Sequence, residues 1–214
     1  VLGRDKRGRT GPKSGACRPT DYKPKRPITV PEIFTIGHSN LAFEAFAARL
    51  AAHGVEVLAD VRAAPFSRRY PQFNREALDA GLKAVGIRYR WLGEVLGGLR
   101  SPQAHTPHSA LTEPAFQAYA EHMATPAFRE LLGRLIGGAQ RLRIALMCAE
   151  ADPAHCHRQF IADALSVQGM AVRHIRDTDT APAHCCHPGL RQAGDVLIYD
   201  RHCQSGLFTP EDAG

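Results

Sequence analysis

The sequence contains no run of 18 or more apolar residues, so no membrane span is expected. Its positively charged start is not followed by the apolar stretch that a secretory signal needs, and a reducing cytoplasm is the default location. Six cysteines in 214 residues (Cys17, Cys148, Cys156, Cys185, Cys186 and Cys203) are too few and too unevenly placed for a disulfide scaffold. There is no P-loop, no G-x-G-x-x-G and no H-E-x-x-H, so nucleotide hydrolysis, dinucleotide redox and zincin chemistry lack support. No internal repeat is present.

What is there divides into three parts. Residues 1–27 carry nine Lys/Arg against Asp5 and Asp21, whereas the rest of the chain sums to −1, so the net charge of +6 belongs to one end. This Pro/Gly-rich arm, residues 1–30, is expected to be disordered, a solvated leader or an arm that touches phosphates. Residues 31–177 are expected to form one α/β domain, and 178–214 an extension that packs on it or is partly disordered. With 44% hydrophobic residues the chain can bury a real core.

Beyond the arm, short β-rich runs alternate with helical periods. Strands are expected at Pro31–Ile36, Val55–Val61, Ile87–Leu92, Arg143–Cys148 and Ala171–Ile175, with Val196–Tyr199 as a further short edge strand. Helices are expected at Ala42–His53, Arg75–Val85, Glu113–Met123, Pro126–Ile136 and His157–Gln168. Ser39 or Asn40 can cap the first helix and Asn74 the second. Ser101–Thr112, rich in Pro, His, Ser and Thr, reads as a loop or lid. Strands separated by helices predict a mostly parallel sheet with helices on both faces, a Rossmann-like three-layer arrangement. Ligands of such sheets bind beyond the carboxyl ends of the strands.

Those ends carry the chemistry. The run Cys148-Ala-Glu150 through His155-Cys156-His157-Arg158 joins the fourth strand to an amphipathic helix. Cys156, at that helix's start, is expected to have a lowered pKa and to act as nucleophile or metal ligand, against a closing structural role. Cys148 is either a core residue or a partner of Cys156 in a redox pair, a resolving step or half of a metal site. Glu150 is a candidate general acid/base, or the partner of Arg158 or Arg62 in a salt bridge. His157 joins these three as a catalytic candidate. Arg158 offers a planar fork to phosphate or carboxylate.

His38, Ser39, Asp60, Arg62 and Ser67 are the remaining candidates for substrate binding. Asp60 and Arg62 share a strand face and can instead pair with each other. Arg68 and Arg69 could grip a phosphate or lie in a solvated loop. His155-Cys156 echoes the start of a cysteine phosphatase loop, but Arg158 follows too soon to close one. No cofactor is expected and no metal ligand is assigned. Zinc is the ion suited to His184-Cys185-Cys186-His187, with His202-Cys203 later, although that spacing fits no common finger.

Thr35-Ile-Gly-His-Ser39, Asp60-Val-Arg62 with Pro65 and Ser67, Leu96-Gly97-Gly98, Leu146-Met-Cys148-Ala-Glu150 and Cys156-His157-Arg158, in that order, resemble the DUF488 family. The resemblance runs from about Ile33 to Ile175. It implies a compact α/β fold and no particular reaction, because that family is a domain of unknown function. Three functions remain open at this point. The first is a cytosolic thiol enzyme acting on an anionic small molecule or a nucleic-acid-derived substrate. The second is a nucleic-acid-associated binding protein that uses the arm, and the third a metal-stabilised interaction domain. The sequence carries no signal for oligomeric state.

Overall fold

The expected β-rich runs become five parallel strands in the computed structural model, which describes residues 30–201 apart from 102 and 104. They are β1 (Glu32–Gly37), β2 (Val57–Asp60), β3 (Arg88–Trp91), β4 (Ile144–Cys148) and β5 (Ala171–Ile175), in the order β3-β2-β4-β1-β5. Between them lie α1 (Phe43–Ala52), α2 (Arg75–Ala84), α3 (Gly93–Leu96), α4 (Pro114–His122), α5 (Pro126–Ala139) and α6 (Arg158–Val167). A hairpin of β6 (Leu190–Ala193) and β7 (Val196–Tyr199) closes the described chain. The basic arm (save Val30), Cys17, His202 and Cys203 lie outside the described residues.

Alternation along the strands builds the two cores. Phe34, Ile36, Leu58, Ala145 and Met147 pack with Phe46, Leu50, Leu78 and Leu82 of α1 and α2. Ile33, Ala59, Ile144, Leu146 and Cys148 face the other way, against α4, α5 and α6. Every residue of β4 is buried, as expected for a central strand covered on both faces. Pairing places Gly37 beside Cys148 and Asp60 beside Met147, so β1, β2 and β4 end together. Among the described residues no helix is long and apolar enough to cross a membrane.

Several local expectations are corrected. Neither Ser39 nor Asn40 caps α1; Ala42 occupies the N-cap without a side-chain bond. Ser39 instead sits at φ 47°, in the left-handed region, and its N–H donates to the Ala149 carbonyl at 2.8 Å. Asn74 occupies the N-cap of α2, but its carboxamide oxygen accepts the Ser67 N–H at 2.6 Å and braces the preceding loop. Val196–Tyr199 is no edge strand of the main sheet, since it pairs antiparallel with Leu190–Ala193. The last helix of the domain, α6, is buried nearly all round rather than amphipathic, because the segment bearing the hairpin covers its outer side. The second half of the expected lid is tied down: Ala110 N–H donates to the Tyr199 carbonyl, and His108 Nδ1 accepts the Tyr199 N–H.

Candidate active site

Cys148 ends the most buried strand, and the loop beyond it turns back on that residue. Asp152 accepts the Ala154 N–H and Pro153 begins a short 3-10 turn, Pro153–His155, which reverses the backbone. Cys156 is thereby laid against Cys148 with 2.7 Å between the sulfurs, both being free thiols. A disulfide bond is only about 2.03–2.05 Å long, so the two are adjacent and unjoined.

Each thiol has its own proton acceptor. Cys148 S–H donates to Glu150 Oε2 at 3.1 Å. Cys156 Sγ stands 3.6 Å from His157 Nδ1. The His157 Nε2 atom is 3.1 Å from the Val61 carbonyl, an acceptor only, so the proton of a neutral ring sits on Nε2 and Nδ1 is left bare. Burial, followed by the charges of Arg158 and Arg100, holds the His157 pKa below its ordinary 6.5, so the ring is neutral at pH 7. Burial raises Glu150, but hydrogen bonds from Cys148, from its own N–H and from Cys156 outweigh that and keep its carboxyl below its usual value.

The expected lowering of the Cys156 pKa is not found. Burial, then the hydrogen bond and charge of Cys148, push this thiol far up, against the weaker pull of Arg158. The Arg158 N–H does reach the sulfur at 3.4 Å, so the helix end acts on it and is outweighed.

Close backbone packing fixes this loop. A Cβ on Gly37 would lie 1.8 Å from the Glu150 carbonyl oxygen, and one on Gly98 would lie 2.7 Å from His157 Nδ1. Arg158 turns inward, where it is 1% exposed and donates to the carbonyls of Glu150 and Ala151. Its Nε and Nη1 have no hydrogen-bond partner among the described residues. Glu150 thus meets Arg158 through its backbone, and the salt bridge weighed between the two side chains does not form.

Arg62 is held by Asp60, through its backbone N–H, Nε and Nη2. Asp60 is fully buried and also accepts the Tyr89 hydroxyl at 2.8 Å. Arg62 Nη1 approaches His38 Nε2 at 3.2 Å, while His38 Nδ1 donates to the Ser39 carbonyl. Both imidazole nitrogens of His38 are therefore committed, and its ring stacks on Phe73 at 4.2 Å. Burial, then Arg62, holds its pKa below the usual value.

These groups border one crevice with two lobes. The thiol lobe, about 300 Å³, is lined by Cys148, Glu150, Cys156, His157, Arg62 and Gly98. The second lobe, about 460 Å³, is lined by His38, Ser39, Phe66, Ser67, Arg69 and Tyr70. Arg62, Ala64, Ala149 and Glu150 belong to both. Of the candidates named from sequence for catalysis or substrate binding, Asp60, Arg68 and Arg158 do not line it; Asp60 lies beneath Arg62 and Arg158 beneath the Glu150 loop. Another cleft, about 240 Å³ between α5, α6 and the hairpin, has no thiol or imidazole in its walls and is not where nucleophilic chemistry belongs.

Tyr89, Phe66 and Tyr70 were not singled out from sequence, and Gly98 entered only as part of the Leu96-Gly97-Gly98 motif. Alternation of Ile87, Tyr89 and Trp91 marks an inward tyrosine on β3, a signal that was available. The carbonyl of Val61 that fixes the His157 tautomer leaves no mark on any side chain.

No curated protein and no solved structure matches the chain. A family model, Domain of unknown function DUF488, matches residues 42–165, more than half of the chain. That span holds β2 to β4, the thiol pair, Glu150, His157 and most of α6, while His38 and Ser39 lie just before it. The chain belongs to the DUF488 family.

Proposed function

We propose that this is a cytoplasmic thiol enzyme in which Cys148 and Cys156 cycle between dithiol and disulfide while reducing an anionic small molecule that bears an electrophilic sulfur. The observation that carries the reading is the pairing of two adjacent thiols with two separate bases. Oxidation of a dithiol removes two protons as well as two electrons, and a base for each thiol suits that stoichiometry. Sharing a metal is the weaker reading of the same atoms. Cys148, Cys156 and Glu150 do form a three-donor group, but a tetrahedral zinc with Zn–S bonds of about 2.3 Å would need the sulfurs to open from 2.7 Å to about 3.8 Å, the largest rearrangement either reading asks for.

The reaction runs in two displacements. Glu150 takes the Cys148 proton, and the thiolate attacks one sulfur of a substrate disulfide, forming a Cys148–substrate disulfide and releasing one thiolate. His157 Nδ1 then takes the Cys156 proton. Cys156 attacks the Cys148 sulfur, closing the intramolecular disulfide and releasing the second thiolate. The two protons pass to the two leaving groups, and an external dithiol reductant restores the enzyme. Arg69 supplies positive charge along the crevice, and Phe66 and Tyr70 supply an apolar wall.

The test uses dithiobis(nitrobenzoate), an anionic aromatic disulfide, on the full chain with Cys17, Cys185, Cys186 and Cys203 changed to serine. The expected result is release of two coloured thiolates per chain, leaving Cys148 joined to Cys156. Adding Cys156→Ser should release one and trap the adduct on Cys148. Release of two thiolates that leaves both cysteines separately labelled contradicts the reading.

A further inference from the structure

A second cluster of ligand-type side chains joins α6 to the segment after β5, and none of its members lines the crevice. The Asp163 carboxylate, His184 Nε2 and Cys186 Sγ lie within 4.8 Å of one another. We infer that these three residues bind a single borderline-soft divalent cation of the zinc class, with a fourth position open to water.

Three observations lead there. Asp163 is fully buried, and among the described residues its only ion-pair partner is His184, 2.7 Å away. A carboxylate so placed is stabilised by compensating positive charge, which a divalent cation supplies. The donors are one oxygen, one nitrogen and one sulfur, the set that zinc accepts, and three protein ligands plus water is a common open arrangement.

The third observation is the shell behind the ligands. His184 Nδ1 lies 3.0 Å from His174 Nε2, and His174 Nδ1 lies 2.7 Å from Thr35 Oγ1. With the ion on His184 Nε2, the ring's other N–H donates to His174, which passes its own N–H to Thr35. A ligating histidine oriented through its second nitrogen is the usual support at metal sites. The Tyr199 hydroxyl and the His187 N–H also fix the Asp163 oxygens.

In the empty state a proton sits between His184 and Asp163, and the ion takes its place. Nitrogen and oxygen ligands of a tetrahedral zinc stand about 3.3 Å apart, so the pair must open by roughly 0.6 Å. The His184 backbone is held to β5 by its N–H bond to the Val172 carbonyl, and Asp163 is held in α6, so rotation of the two side chains must give that distance. Cys186 is exposed, which provides the way in from solvent. The sequence offered His184 and Cys186 but not Asp163, which stands 21 residues upstream of His184.

The experiment is a cobalt(II) titration of the full chain, read by thiolate-to-cobalt charge-transfer absorption and followed by displacement with zinc(II). One equivalent should bind and produce the band, and zinc should bleach it. Cys186→Ser should abolish the band with an unchanged far-ultraviolet circular dichroism spectrum. Cys185→Ser and the double variant Cys148→Ser/Cys156→Ser should both keep it. His174→Gln should weaken zinc binding about 10–100-fold. No band in the unaltered chain, a band that survives Cys186→Ser, or a band lost with the crevice thiols would each overturn the assignment.

Discussion

Replacing Asp60 by asparagine strikes the support under the crevice. Asp60 is fully enclosed and accepts four hydrogen bonds, three from Arg62 and one from Tyr89. Arg62 is 8% exposed, so water cannot take over the lost interactions. The carboxamide has one acceptor oxygen instead of two and turns an N–H₂ toward one of its former donors. Breaking a buried pair in this way costs about 3–5 kcal/mol. Against a typical stability of about 5–15 kcal/mol, that is a large share. At about 2–4 °C per kcal/mol for a domain of this size, Tm should fall by roughly 6–20 °C.

Urea unfolding followed by circular dichroism gives the free energy directly. The double variant Asp60→Leu/Arg62→Met should recover most of the loss, because an apolar pair of similar volume removes the stranded charge. The reasoning is refuted if Asp60→Asn costs under about 1 kcal/mol, the range of solvated pairs. It is equally refuted if the double variant is no better than the single one.

Three further outcomes are expected from the same geometry. Gly98→Ala puts a methyl group where His157 Nδ1 sits, 2.7 Å away, and should slow Cys156 alkylation about tenfold or more while Cys148 keeps its rate. Per-cysteine mass spectrometry checks it. His38, His108, His122 and His157 are all held below the ordinary 6.5, and burial, then His184, lowers His174 to about 4. Below about 6.5 the unfolded chain therefore binds protons that the folded chain refuses, and stability falls as pH drops toward 4. Urea midpoints at pH 7.5, 6 and 5 should decline in that order, less steeply in His174→Gln. Arg69→Ala should weaken binding of anionic aromatic disulfides about tenfold in calorimetry without shifting Tm, since Arg69 is an exposed residue of the second lobe.

Legibility in the sequence tracked the range of the interactions. Strand and helix positions came through because burial on both faces writes itself into local periodicity, as in Ile144–Cys148. The polar ends of β1, β2 and β4 pointed to the crevice for the same reason. Ser39 does not cap because α1 starts later, with Ala42 at its N-cap, and Asn74 holds the N-cap position of α2 but turns its oxygen to the Ser67 N–H, a choice that local pattern cannot reveal. The Cys156 pKa went the wrong way because the dipole argument was local, while the dominant influences are burial and Cys148. Arg158 read as an anion fork on side-chain chemistry alone. Only the path of the Glu150–Ala151 loop shows that its Nη2 is taken up by two carbonyls, which leaves Nε and Nη1 without a partner among the described residues.

The most direct test of the central claim is a redox titration of the native chain in glutathione buffers, with disulfide-linked peptides identified by mass spectrometry. The account predicts one two-electron transition that joins Cys148 to Cys156. Single glutathione adducts on the two cysteines, with no peptide linking them at any buffer ratio, would contradict it.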